Sequence, residues 1–120
     1  MRYQALVAVA LAVSAHAPSA RAQSQEEQAT ALLLLRASSA QSAIITFCGR
    51  HYAIDGTTAL RISQTARDVA TKVLGQDRAN AAFKDELARR YAEVKEVGEQ
   101  QWCTDQRDTL SQGGIQIFKN

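Results

Sequence analysis

The sequence predicts an all-α protein, a small up-down bundle of three to four helices stapled by one disulfide. Three observations predict it. Beyond an N-terminal export segment the chain has no proline, many alanines and few β-branched runs, a composition that favours helix. Apolar residues recur at three- and four-residue steps over most of that length. Two cysteines, Cys48 and Cys103, stand about 55 residues apart in a chain expected to be exported, where oxidation is their natural state.

Residues 1–22 read as a cleaved secretory signal. Arg2 supplies the charged start, Ala5 to Val13 the apolar run, and Ala20-Arg21-Ala22 the small-residue cleavage site, with cleavage expected after Ala22. The apolar run is too short for a hydrocarbon layer of roughly 30 Å, which takes about 20 residues, and no second stretch of spanning length is expected downstream. The expectation is therefore a periplasmic or secreted protein with no membrane anchor. Residues 23–120 then form a single helical domain, large enough for a modest core. Of the 14 basic residues Arg2 and Arg21 leave with the signal, so 12 remain against 12 acidic ones. A balanced surface argues against nucleic acid or an anionic membrane as partner.

The first helix is expected from about Gln25 to Gly49, with Ser24 as its N-cap and Glu26 and Glu27 in the first turn, where carboxylates complement the helix dipole. Its predicted inner stripe is Leu33, Ala37, Ala40, Ile44, Phe47 and Cys48. Leu32 to Leu35 exceed that stripe, because four consecutive residues sweep most of the helix circumference. A break follows from His51 to Thr58, with Asp55-Gly56 as the turn and Thr57 or Thr58 as the next cap. The second helix runs to about Leu74 on a stripe of Ile62, Ala66, Val69, Ala70, Val73 and Leu74, with Arg61, Arg67, Asp68 and Lys72 outside and Gly75 as the stop.

The third helix starts near Asp77, read as its cap, and carries Phe83, Leu87, Tyr91, Val94 and Val97 on one side, with Arg89 and Arg90 among the charged residues elsewhere. Gly98 interrupts it. A kink there would turn Trp102 and Cys103 inward; a straight helix serving two neighbours is the competing arrangement. The last helix fades over Ser111 to Gly114. Ile115, Ile117 and Phe118 then form an apolar tail, expected to be buried against Leu32 to Leu35 or in an adjacent groove.

For chemistry the sequence offers little. Cys48, His51 and Asp55 lie close enough to suggest a metal site, but an oxidised Cys48 leaves one imidazole and one carboxylate, too few ligands, so no metal and no cofactor is expected. The cysteines lack the C-x-x-C spacing of a redox pair, and Trp102 and Phe47 are placed to cover their sulfurs. No nucleophile–base set and no glycine-rich phosphate loop can be recognised, which argues against an enzyme. With His51 the single histidine beyond the signal, little titrates between about pH 6 and 8, and loss of stability should come at acid pH, from carboxylates. The expected function is that of a small exported, non-enzymatic protein-binding or protective module. Its partner would be another protein or a second copy of itself, met through Leu32, Leu34, Leu35, Ile115, Ile117 and Phe118. The alternative is a periplasmic ligand-binding protein or hydrolase with a pocket between the second and third helices, lined by Tyr91.

Overall fold

Four helices follow one another with almost no loop between the last three. The computed structural model describes residues 20–119 and contains α1 (Ala20–Phe47), α2 (Gly56–Leu74), α3 (Gln76–Val97) and α4 (Glu99–Gln112), with a single 3-10 turn at Cys48–Arg50. Among the described residues there is no strand, only one isolated antiparallel bridge between Ile54 and Phe118. The fold is all-α, as expected. Of the expected signal segment, residues 1–19 lie outside the described residues, while 20–22 continue α1.

α2 and α3 are joined through Gly75 alone, and α3 and α4 through Gly98 alone. Both adopt the same unusual backbone, φ 81° and ψ 158° at Gly75, φ 97° and ψ 140° at Gly98. Each donates its N–H back into the helix it ends, to Thr71 and Val94, while its carbonyl accepts the first bond of the next helix. The corner at Gly98 is thus a sharp break rather than a bend, and it turns Trp102 and Cys103 into the interior. A Cβ at either glycine would touch nothing within 4 Å, so any penalty for a side chain there is conformational. Gly98→Ala is expected to cost about 1–3 kcal/mol in thermal or chemical unfolding. Gly56→Ala, in the first turn of α2 with equal room and no such φ, should be neutral or mildly stabilising.

The interior divides into two apolar clusters with a polar waist between them. At one end Ala31, Leu35, Ala70, Leu74, Ala79 and Phe83 pack together. At the other, Ala43, Ile44, Val94 and Trp102 surround Cys48 and Cys103, with Phe47, Tyr52, Ile54, Leu110 and Phe118 packed on the outside. The buried polar residues Ser38, Ser39 and Gln41 on α1 and Arg90 on α3 fall between the two in sequence, and Ser63 of α2 meets Ser38 there. At the waist α1 and α2 approach so closely that the Ser38 hydroxyl donates to the Ser63 carbonyl at 2.8 Å and the Ser63 hydroxyl donates to the Ser38 carbonyl at 3.0 Å. Each serine has one proton to give, so these two bonds use both, and Ser42 Oγ, 3.2 Å from Ser63 Oγ, is placed to donate to it.

This close crossing overturns part of the predicted stripes. Leu33 and Ala37 face outward, and the buried line of α1 runs instead through Ala31, Leu35 and Ser38. On α2 the inner line is Ala59, Ser63, Ala66, Ala70 and Leu74, while Val69 and Val73 stay 44% and 39% exposed and Ile62 half-buried. Small side chains win the interface because the helices come near enough for reciprocal serine-to-backbone bonds, leaving no room for branched ones. Two arginines assigned to the outside are also drawn in. Arg67 lays its guanidinium 4.0 Å from the centre of the Phe83 ring and bonds Asn80, and Arg90, 7% exposed, pairs with Glu93 at 2.8 Å.

Three cap assignments change as well. α1 passes through Ser24 without stopping; the cap of α2 is Asp55, whose carboxylate accepts from Thr58 N; and Gly75 precedes α3, so Asp77 sits in its first turn. Contrary to expectation, the stretch Ser24–Arg50 contains an 18-residue window of mean hydropathy 1.4 and is by length and composition apolar enough to cross a membrane. It serves here as the core helix, burying Leu35, Ile44 and Cys48 against α2, α3 and α4.

Candidate functional site

The bridge between Cys48 and Cys103 forms as expected, with Cα atoms 5.5 Å apart. It ties the end of α1 to the first turns of α4, and both sulfurs are fully buried. Trp102 covers them from within the same cluster, its ring N–H reaching Glu93 Oε2 at 3.3 Å. Phe47 packs on the outside of that cluster and meets Tyr91 edge-on, with centroids 5.2 Å apart. His51 lies apart from the sulfurs' chemistry, with Nε2 3.1 Å from Glu99 Oε1, which Arg50 also reaches at 2.7 Å. Among the described residues no three His, Cys, Asp or Glu side chains converge as metal ligands would.

The apolar tail docks, but at a different place from the one expected. Asp55 N donates to the Ile117 carbonyl at 2.8 Å and Lys119 N to the Ala53 carbonyl at 2.9 Å, clasping the tail to the segment before α2. Ile117 is fully buried and Phe118 stacks edge-on against Tyr52, 5.5 Å between centroids, while Ile115 remains exposed. Leu32 to Leu35 lie near the middle of α1, well before its end at Phe47. The six residues proposed as contact surface therefore part company: Leu35 and Ile117 are interior, half-buried Phe118 and exposed Ile115 line a recess beside the tail, Leu32 is exposed, and Leu34 borders an apolar groove.

That groove is a trough between α1 and α2. Two shallow recesses of about 420 and 380 Å³ share Leu34 and Val69 as their common wall. Ile62, Ala66 and Arg61 border one end, Val73 with Glu26 and Glu27 the other. Its lining is mainly aliphatic, with Thr30 and Thr65 among it, and its ends carry opposite charge.

Two polar recesses compete with it. The larger, about 590 Å³, lies beside the tail and is lined by Asp55, Arg107, Asp108, Ser111 and Lys119 among others. Most of its charged groups are already engaged: Arg107 pairs with Asp108 and lies over the Tyr52 ring, and Asp55 accepts from both the backbone and the hydroxyl of Thr58, at 3.0 and 2.7 Å. Those Thr58 hydrogen bonds, side chain first, hold the Asp55 carboxyl below its ordinary value of 3.8. A carboxylate depressed in the folded state stabilises the fold above its unfolded pKa, and the contribution is lost as pH falls through the lower folded value. The acid limb of a melting-temperature profile below about pH 4 should therefore flatten in Asp55→Asn. The second polar recess lies between α2 and α3, about 510 Å³, and is lined by Gln64, Arg67, Asp68, Thr71, Gln76 and Asn80; Tyr91 is not part of it.

Sequence reasoning missed the trough because it assigned Val69 and Val73 to the core. The signal that could have found it is the second, small-residue line on α2, Ala59, Ser63, Ala66 and Ala70 at four-, three- and four-residue steps, which leaves the larger aliphatics without an internal partner. Comparison with known proteins finds no matching family model, no matching curated protein and no matching solved structure.

Proposed function

We propose that this chain is a small exported, non-enzymatic module, periplasmic or secreted, that binds protein through the trough between α1 and α2. The disulfide and the apolar character of the N-terminal helix are consistent with export. The observation that carries the binding reading is the exposure of Val69 and Val73 beside Leu34 in a trough whose inner neighbours are already packed. Branched aliphatics at the rim of a filled interior keep apolar surface in water, and they are the residues an apolar partner surface would cover.

The runner-up, a ligand-binding protein or hydrolase, draws on the recess beside the tail, where Ser111 and Lys119 stand with two carboxylates. Its carboxylates are capped or paired, which leaves no base positioned on a nucleophile. A capture experiment with immobilised, oxidised protein separates the readings. A partner retained by the wild type and lost with Val69→Lys supports the trough; an identical set retained by both removes it.

A further inference from the structure

The geometry points to a specific occupant: we propose that the trough seats a second copy of this chain, docked antiparallel about a twofold axis crossing α2 near Ala66 and Val69. This rests on the reading of the trough as a protein-binding face and names the partner. Ile62, Ala66, Val69 and Val73 follow one another at four-, three- and four-residue steps, the spacing that holds side chains on one seam of a helix pair. The neighbouring seam, Ala59, Ser63, Ala66 and Ala70, is spaced identically and is already filled by α1. α2 therefore carries two adjacent seams that share Ala66, an inner one of small residues and an outer one whose β-branched members, Ile62, Val69 and Val73, α1 covers only in part.

The charges at the ends of the trough select the occupant and its direction. Glu26 and Glu27 border the end at Val73, and Arg61 borders the end at Ile62. A twofold axis through the middle turns the second copy end for end, so that Ile62 of each copy meets Val73 of the other and Arg61 of each meets the acidic pair of the other. A parallel pairing would set Arg61 on Arg61 and the glutamates on one another, which repels. A closed, self-complementary contact of this kind needs no property that the chain lacks. The face is confined to one trough between two helices, so the dimer should form and dissociate with concentration.

Sedimentation equilibrium of the purified, oxidised protein over about three decades of concentration tests this. A monomer–dimer equilibrium is expected, weakened more than about tenfold by V69K, an exposed substitution whose helical circular dichroism should match the wild type. Salt should weaken the dimer. R61E alone, or E26R with E27R, should each weaken it roughly two- to fivefold, as rim ion pairs do, and the three together should restore it. A protein monomeric throughout, a dimer indifferent to V69K, or charge reversals that add rather than compensate would overturn the proposal. A monomeric wild type whose capture of a foreign protein is lost in V69K overturns this proposal while leaving the binding role of the trough standing.

Discussion

Replacing Cys48 and Cys103 together with alanine should lower the stability of the fold by about 4 kcal/mol, which for a domain of this size moves the melting temperature down by roughly 15–30 °C. The first figure follows from the 55-residue separation of the two cysteines, since the bridge removes from the unfolded chain the entropy of closing that loop. It is a large fraction of the 5–15 kcal/mol that holds small domains together. The loss falls on one end of the molecule. α4 leaves α3 at a single glycine, and its two fully or nearly buried residues, Trp102 and Cys103, are the only ones it contributes to the interior among the described residues. Without the bond, α4 is held by Trp102, by the packing of Leu110 and by the tail clasp. Differential scanning calorimetry of the oxidised protein against the double variant measures the effect, and an unchanged melting temperature would contradict it.

Ile117→Ala is the second large effect, expected at about 2–5 kcal/mol, the range for deleting a fully buried branched side chain. Ile117 is one of the largest side chains with no exposed surface, although it stands three residues from the end of the chain. Its carbonyl accepts the Asp55 N–H just where Asp55 caps α2, so release of the tail also frees the backbone at the start of that helix. Ile115→Ala, two residues earlier and exposed, should change stability by no more than about 0.5 kcal/mol. Urea unfolding of the two variants side by side gives the comparison, and equal midpoints would show that the clasp contributes nothing.

The legible parts of the fold were those written in single residues with one strong meaning. Gly75 and Gly98 marked the corners because they end apolar periodic runs, and both prove to sit where φ is positive. The bridge was legible because an even pair of cysteines in a chain expected to be exported has one natural fate. The inner faces were less legible, for a physical reason. Hydropathy counting puts Val69, Val73 and Leu33 inside and serine outside, but at Ser38 and Ser63 the helices approach until only small side chains fit, and hydroxyls that bond the facing carbonyls make burial tolerable. Arg67 and Arg90 were misplaced for the same cause, since a periodic count cannot see a guanidinium laid on Phe83 or folded onto Glu93. The tail's docking site depends on backbone pairing with residues 53–55, far away in the chain, and no local pattern announces it. Of the proposed contact surface only Leu34 reached the trough, because the trough exists only once α2 has turned its small residues inward.

The central claim is that the molecule has two cores, one built on the bridge and one independent of it, parted by the waist at Ser38, Ser63 and Arg90. Amide hydrogen exchange on the protein after gentle reduction of the bridge tests this most directly. The account predicts two levels of protection: low in α4 and in the tail clasp at Asp55 and Lys119, higher in α1 and α2 around Ser38, Ser63 and Ala70. A single level of protection across all four helices of the reduced protein would contradict it.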